Sequence, residues 1–281
     1  MKKILIIKHG SLGDLILSFG AMKTIKHQFP NADLFLVTQT NFKEIFKDLP
    51  YVEHIFEDNR KKNLSSVFSY FKIINKYKID LVVDLQNSGR TQIYHFFTKF
   101  FSNAKILSAR KFSYYRYQQQ PLGIQHITQN HQDQLKFLNI DKYFITDLSW
   151  MAKLNKFKDK YVVIIPGASK SGEYKKWPIE KYAEVCNYLI KKNFKVFLTG
   201  SILDQSDINS IIQLAPQAKD MTKESKIDVF YDLCLHANLI ISNDTGPAHI
   251  AGLTNKDLIW LANDNKISRS CHPLGNKVHK I

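Results

Sequence analysis

Short apolar runs alternate with stretches of helical period along almost the whole chain, and that alternation admits few architectures. Residues 3–8 form a run with β-branched members; Leu12, Leu15, Ile16, Phe19, Met22 and Ile25 then recur at helical spacing, and Pro30-Asn31 closes that helix. Residues 34–38 read as a second strand. The pattern continues with strand 53–57, helix 64–77, strand 81–85, helix 89–101 and strand 105–108. Short strands separated by helices of roughly 10–15 residues predict a parallel sheet with helices on both faces.

Residues 112–130 break the rhythm with Tyr114, Tyr115, Tyr117 and three consecutive glutamines before Pro121. They read as a long loop entering a helix near residues 126–138. A functional loop and a surface excursion both fit such a stretch. Residues 139–159 are polar and Lys-rich and read as a linker. A second alternating block follows: strand 161–165, helix 179–192, strand 195–198, helices 204–214 and 227–236, strand 239–242, helix 247–253 and strand 258–261. The expectation is an α/β chain of two doubly wound, Rossmann-like domains, residues 1–150 and 151–281.

At 281 residues with 44% hydrophobic side chains, the chain has enough apolar material for two cores, which excludes global disorder. Forty Lys and Arg against 25 Asp and Glu give a net charge of +15, which points to an anionic partner: a nucleotide, a nucleic acid or a membrane surface. Cys186, Cys234 and Cys271 are scattered and form no disulfide framework, as suits a reducing compartment. Cys271, His272 and His279 match no zinc spacing. Lys8 and His9 end the first apolar run well short of a signal-peptide core, and no window approaches the roughly 18 apolar residues of a membrane span. The expected location is cytoplasmic, with the protein lying against a membrane face.

Ligands of open parallel sheets bind beyond the carboxyl ends of the strands, so the turns there carry the functional signal. The first strand is followed by His9-Gly10-Ser11-Leu12-Gly13-Asp14, and a later one by Asp84-Leu85-Gln86-Asn87-Ser88-Gly89-Arg90. The first turn lacks the G-x-G-x-x-G spacing of a dinucleotide site. Its glycines still permit close backbone approach, and Asp14 fits either a ligand role or simple complementation of the helix dipole. In the second block, Pro166-Gly167-Ala168-Ser169 follows one strand, Thr199-Gly200-Ser201 the next and Asn243-Asp244-Thr245-Gly246-Pro247 a third. Glu173 stands where a P-loop requires lysine, which argues against that type of NTP hydrolysis. Lys170, Lys175 and Lys176 before Trp177-Pro178 suit either phosphate or a solvated basic loop. Asp244-Thr245-Gly246-Pro247-Ala248-His249 combines capping residues, a glycine and a first-turn proline, a setting able to hold a diphosphate. Two such edges facing each other would make one cleft.

Ile7-Lys8-His9-Gly10-Ser11-Leu12-Gly13-Asp14, Asp84-Leu85-Gln86, Pro166-Gly167-Ala168, Lys175-Lys176-Trp177-Pro178 and Ser242-Asn243-Asp244-Thr245-Gly246-Pro247-Ala248-His249, taken in order, resemble glycosyltransferase family 9, the ADP-heptose–lipopolysaccharide heptosyltransferases. The resemblance implies a GT-B fold with the two domains facing across a cleft, acceptor binding by the N-terminal domain and donor binding by the C-terminal one. It implies Asp14 as catalytic base and Lys175 as the donor-phosphate lysine. It places Gly167, Ser169, Lys176, Asp244, Thr245, Gly246 and His249 on the donor side, and Gly10, Ser11, Gly13, Gln86 and Arg90 on the acceptor side. The substrate is then an ADP-sugar, with no cofactor, and the acceptor a lipopolysaccharide core. No D-x-D motif is present to hold a metal, so an inverting, metal-independent displacement is expected. Family members usually continue further, and residues 263–281 show no closing strand–helix pair, so a shortened C-terminal domain is expected. Arg110, Lys111 and Arg116, interleaved with aromatics, are candidates for acidic sugars of the acceptor.

Two other functions compete. One keeps the fold but changes the reaction to sugar-nucleotide epimerisation or hydrolysis. The other is a non-catalytic nucleic-acid binder, suggested by the charge but unsupported by any recognisable RNA or DNA module.

Overall fold

The computed structural model describes residues 2–43, 45–60, 65–152, 157, 159–168, 170–224 and 226–281. The chain divides into two compact units, Met1–Thr146 and Asp147–Ile281. The first contains β1 (Lys3–Ile7), α1 (Leu12–Gln28), β2 (Asp33–Thr38), α2 (Thr40–Lys43), β3 (His54–Glu57), α3 (Ser65–Tyr77), β4 (Leu81–Asp84), α4 (Gly89–Phe101), β5 (Lys105–Ser108), β6 (Tyr115–Arg116) and α5 (Ile127–Leu135). Its strands pair in parallel in the order β3-β2-β1-β4-β5-β6. Leu5, Ile7, Phe35, Val37, Val82 and Ile106 pack with buried residues of α3 and α4. The alternate residues Ile4, Ile6, Leu34, Leu36 and Val83 are equally buried, so both faces of the sheet are covered.

The second unit contains β7 (Tyr161–Ile165), α6 (Ile179–Lys191), β8 (Lys195–Leu198), α7 (Gln205–Leu214), β9 (Lys219–Asp220), α8 (Ile227–Leu235), β10 (Leu239–Asn243), α9 (Gly246–Gly252), β11 (Leu258–Leu261), α10 (Lys266–Ser270) and β12 (Val278–Lys280). Its parallel order is β12-β11-β10-β7-β8-β9. Val162, Ile164, Val196, Leu198 and Ile241 pack with Tyr182, Ala183 and Cys186 of α6 and with Ile208 and Ile211 of α7. In both sheets the chain begins at the centre, winds to one edge, returns and winds to the other. The reversal falls between β1 and β4 in one sheet and between β7 and β10 in the other. This is the doubly wound, Rossmann-like α/β arrangement in each unit.

Three expectations are corrected. Residues 263–281 do close the sheet: Asn265 caps α10, and β12 pairs with β11 through Leu258–Val278 and Trp260–Lys280. The stretch 139–159 is not linker throughout. Thr146 Oγ1 accepts the Gly20 N–H at 3.1 Å and Thr24 Oγ1 accepts that of Phe144 at 2.8 Å, so this end of the segment packs on α1. That cover explains why α1 is buried nearly all round. Finally, the loop after β5 contributes an edge strand, β6, and Asn130 Oδ1 then pins it by accepting Gln120 N–H and a Gln125 amide hydrogen, each at 3.0 Å. Among the described residues no helix is long and apolar enough to cross a membrane.

Candidate active site

The two motif pairs singled out in the sequence fall at the two reversal points, where open α/β sheets bind ligands. In the first unit these are the exits of β1 and β4. Gly10 has φ +49°, and a Cβ there would stand 2.9 Å from Cβ of Asp14, so the turn needs glycine. Gln86 Oε1 accepts the N–H groups of His9 (3.0 Å) and Gly10 (2.9 Å), while Gln39 Nε2 donates to their carbonyls (3.1 and 2.6 Å). The turn is thus held from both sides by two glutamines. Ser11 then caps α1: Asp14 Oδ2 accepts from Ser11 N–H (3.0 Å) and Ser11 Oγ (3.1 Å), closing a capping box. Asp14 is half-buried at the sheet's carboxyl edge, and Gly13 beside it is buried. The helix-start role considered for Asp14 is therefore real, and it fixes the carboxylate at the strand exit.

A buried polar network supports this edge. Asp84, wholly buried, accepts the N–H of Gln86 and Asn87 on Oδ1, both at 2.9 Å; its Oδ2 lies 3.2 Å from His95 Nε2 and 3.3 Å from Ser108 Oγ. Burial pushes this carboxyl upward, but His95, Thr91 and the Asn87 N–H together outweigh it and leave the group below the ordinary carboxylate range. Asp58 behaves likewise. Burial raises it, yet His9 Nε2 at 2.7 Å and the Tyr94 hydroxyl at 2.5 Å hold it well below that range. Lys8 is buried and donates to the Leu85 carbonyl at 3.2 Å, tying the exit of β1 to that of β4. The Arg90 guanidinium donates to the Arg60 carbonyl (2.6 Å) and the Tyr94 hydroxyl (3.3 Å) and lies 3.9 Å from Asp58, the partner of His9. Arg110 Nε donates to the Asn87 carbonyl at 2.5 Å, which anchors this exposed arginine to the turn.

In the second unit the exits of β7 and β10 meet. Asn243, the last residue of β10, donates to the Pro166 carbonyl at 2.5 Å and accepts from the Tyr182 hydroxyl at 2.6 Å. A Cβ on Gly167 would stand 2.4 Å from the Asp204 carboxylate, which itself accepts Ser201 N–H (2.8 Å) and Ser201 Oγ (2.7 Å); only glycine fits. Lys175 Nζ lies 2.7 Å from Asp244 Oδ2, joining the K-K-W-P segment to the D-T-G turn. Thr245 precedes α9 in extended backbone, Gly246 opens the helix, Pro247 lies in its first turn and His249 is buried on it. Lys176 does not join this group. Its amine pairs with Asp207 (2.7 Å) and Glu173 (2.9 Å); burial lowers its pKa, and the two carboxylates outweigh that and raise it. The segment 170–175 is 3-10 helix rather than loop. Ser169 lies outside the described residues.

Sequence reading missed Gln39, Asp58, Tyr94, His95 and Asp204. Gln39, Asp58 and Asp204 all follow strands closely, and testing the exit of every strand, not only those with glycine, finds them. Tyr94 and His95 carry no such signal. Among the described residues no group of three His, Cys, Asp or Glu side chains is arranged to hold a metal ion.

The family model of glycosyltransferase family 9 (heptosyltransferase) matches residues 67–261. The chain is 23% identical over 293 residues to lipooligosaccharide heptosyltransferase 2 of Haemophilus influenzae, covering 92% of this chain and 82% of that one. The solved structure of E. coli ADP-heptose lps heptosyltransferase II superposes with a TM-score of 0.76 at 20% identity, over 100% of this chain and 90% of that one. E. coli heptosyltransferase WaaC with ADP-2-deoxy-2-fluoro heptose gives 0.79 at 15% identity, over 99% and 92%.

Proposed function

The chain belongs to glycosyltransferase family 9, the heptosyltransferases, and on that premise we propose that it transfers heptose, or a closely related sugar, from an ADP-sugar to a lipopolysaccharide inner-core acceptor with inversion. The observation that carries this reading is the Lys175–Asp244 contact of 2.7 Å. It brings a cation and a helix start from segments 69 residues apart to one strand exit, the arrangement a departing diphosphate needs. In the resting protein Asp244 keeps the lysine in place. On donor binding the diphosphate oxygens take over the ammonium's hydrogens, and helix-start N–H groups of α9 add further donors.

The proposal divides the chemistry between the units. The acceptor hydroxyl attacks the anomeric carbon from the side opposite the nucleotide. Asp14 takes its proton as the new bond forms, and the C–O bond to the diphosphate breaks. Gly10, Ser11, Gly13 and Gln86 shape the acceptor side of this turn; Gly167, Asp244, Thr245, Gly246 and His249 belong to the donor side with Lys175. Arg90 and Lys176 act through the carboxylates they hold. The charge developing on the leaving diphosphate is met by Lys175 and backbone dipoles without a metal. The enzyme works in the cytoplasm against the inner membrane, where a lipid-borne acceptor lies.

Calorimetry with ADP-sugars tests the donor side directly. Lys175→Ala is expected to weaken donor binding by about 1.5–3 kcal/mol, roughly 10- to 150-fold, and to lower turnover as well. Unchanged affinity would remove Lys175 from the donor site. Transfer is expected to proceed at the same rate in excess chelator, and a loss of rate restored by a divalent cation would overturn the metal-free displacement. Release of nucleotide at a rate indifferent to acceptor would favour hydrolysis instead.

A further inference from the structure

Helix α4 is inside out. A surface helix ordinarily turns its apolar stripe to the core and its polar face to water. Here the buried residues are Thr91, Tyr94, His95 and Thr98, and of the helix's phenylalanines only Phe97 packs against the core cluster. The outward ones are Ile93, Phe96, Phe100 and Phe101, exposed by 49%, 40%, 58% and 60%. Phe96 and Phe100 lie 4.9 Å apart between ring centroids, and Phe112 from the loop after β5 packs against both at 5.4 and 6.2 Å. The result is a continuous apolar stripe on the outside of the molecule, about 20 Å long for a helix of this length.

The stripe is set in strongly basic surroundings. Residues 65–132 hold nine Lys and Arg against two Asp, and both carboxylates are engaged within the fold: Asp84 is buried, and Asp80 accepts the backbone N–H of Lys2 and Lys3. Lys99 is exposed on α4 between Phe96 and Phe100, and Lys111 is exposed next to Phe112. The end of the stripe opens into a groove of about 1150 Å³ in which Phe100 and Phe101 face Lys2, Lys3, Lys78 and Lys105.

We propose that the outer face of α4 is a membrane-docking surface that seats the protein on an anionic phospholipid bilayer. This deepens the membrane part of the functional reading by naming the surface. Phenylalanine and isoleucine side chains without polar tips partition into the headgroup–acyl boundary, while the lysines around them meet lipid phosphates. A second copy of this chain is a poor occupant, because two such basic faces repel. A nucleic acid is a poor one too, because Phe112 packs edge to face on both Phe96 and Phe100, and these two are tilted against each other, rather than offering free ring faces for bases.

The test is flotation of the full-length protein with vesicles of phosphatidylethanolamine and phosphatidylglycerol, set beside vesicles of phosphatidylcholine alone. The protein is expected to float with the anionic vesicles and to be released as salt is raised. F96S/F100S is expected to reduce the vesicle-bound fraction at least tenfold, with circular dichroism unchanged and the rate on a lipid-free acceptor saccharide kept within twofold. K99E/K111E, which leaves the rings intact, is expected to abolish the preference for anionic vesicles. The proposal is overturned if the unmodified protein stays with the dense fraction, or if F96S/F100S floats as well as the parent. It is equally overturned if these substitutions shift the sedimentation coefficient or oligonucleotide binding and leave flotation untouched. Flotation does not depend on sugar transfer, so failure of the heptosyltransferase reading and failure of this one give separate results.

Discussion

Asp14→Ala is expected to lower the transfer rate constant by roughly 10²- to 10⁴-fold, the range of a lost general base, while the affinity for ADP-sugar stays within twofold. The two measurements come apart because the proposal puts Asp14 on the acceptor side and the diphosphate cradle in the other unit. The alanine variant alone does not isolate the chemistry. Asp14 is also the third residue of α1 and closes the capping box with Ser11, taking hydrogen bonds at 3.0 and 3.1 Å. Losing a cap costs about 0.5–2 kcal/mol of stability and would loosen the turn that presents the residue. Asp14→Asn separates the two roles, since its amide oxygen still accepts from Ser11 but cannot take a proton from the acceptor. The base assignment expects the asparagine variant to be folded, to bind donor normally and to be as slow as the alanine variant. If Asp14→Asn turns over at the parent rate, the residue serves only as a helix cap and the base must be sought elsewhere on the β1 exit.

The legibility of this chain follows from how far each signal extends along it. Strands 105–108, 161–165, 195–198 and 258–261, and helix 89–101, match the structure to the residue because an apolar run or a full helical period announces them. The edge strands β6 and β9 have two residues each, too few for any period, and exist only because a neighbouring strand offers its backbone. The closing pair α10 and β12 was missed although Asn265 is a good capping residue, because a five-residue helix shows no periodicity. At the candidate site, Asp14, Lys175 and Asp244 stand out in the sequence through motifs whose neighbours share the task proposed for them. Gln39 and Asp58 were not. Each stands alone after its strand and meets side-chain or turn partners far off in sequence, Gln39 with His9 at a separation of 30 residues and Asp58 with Tyr94 at 36. The helical period of α4 was read, but its orientation was not. Period alone does not say that threonine, tyrosine and histidine face inward while phenylalanine faces out, since the inward polar groups are made tolerable by partners such as Asp84 for His95 and Tyr70 for Thr98.

Those inward partners set the second large effect. Asp84→Ala is expected to destabilise the first unit by about 3–5 kcal/mol, since each buried polar group left without its acceptor costs roughly 1–3 kcal/mol and several lose theirs together. It strips the acceptor from Gln86 N–H and Asn87 N–H at once and removes the carboxylate that lies 3.2 Å from the buried His95 imidazole. Because 1 kcal/mol shifts the midpoint of a unit this size by roughly 2–4 °C or more, melting is expected to fall by about 10 °C. Amide exchange in β1 and β4, which reports this unit alone, is expected to accelerate in step. Asp84→Asn keeps an oxygen for the two backbone donors and is expected to lose less. The pH dependence has a definite sign. Asp84 and Asp58 are both held below the ordinary carboxylate range in the folded state, so the unfolded chain binds protons first as pH falls. Their contribution is complete above about pH 5, fades below the unfolded value of about 4 and is lost as pH drops through the folded values. Asp84→Asn is therefore expected to flatten part of the acid limb of the stability profile, and an unaltered limb would show that Asp84 titrates alike in both states. The same substitutions reach the chemistry through one connected path. Asp84 holds the Gln86 backbone, Gln86 holds His9 and Gly10, and Gly10 sets the entry to the helix that carries Asp14. At a temperature where Asp84→Asn remains folded, turnover is expected to fall while donor affinity does not, because the network positions the base and leaves the Lys175–Asp244 turn untouched.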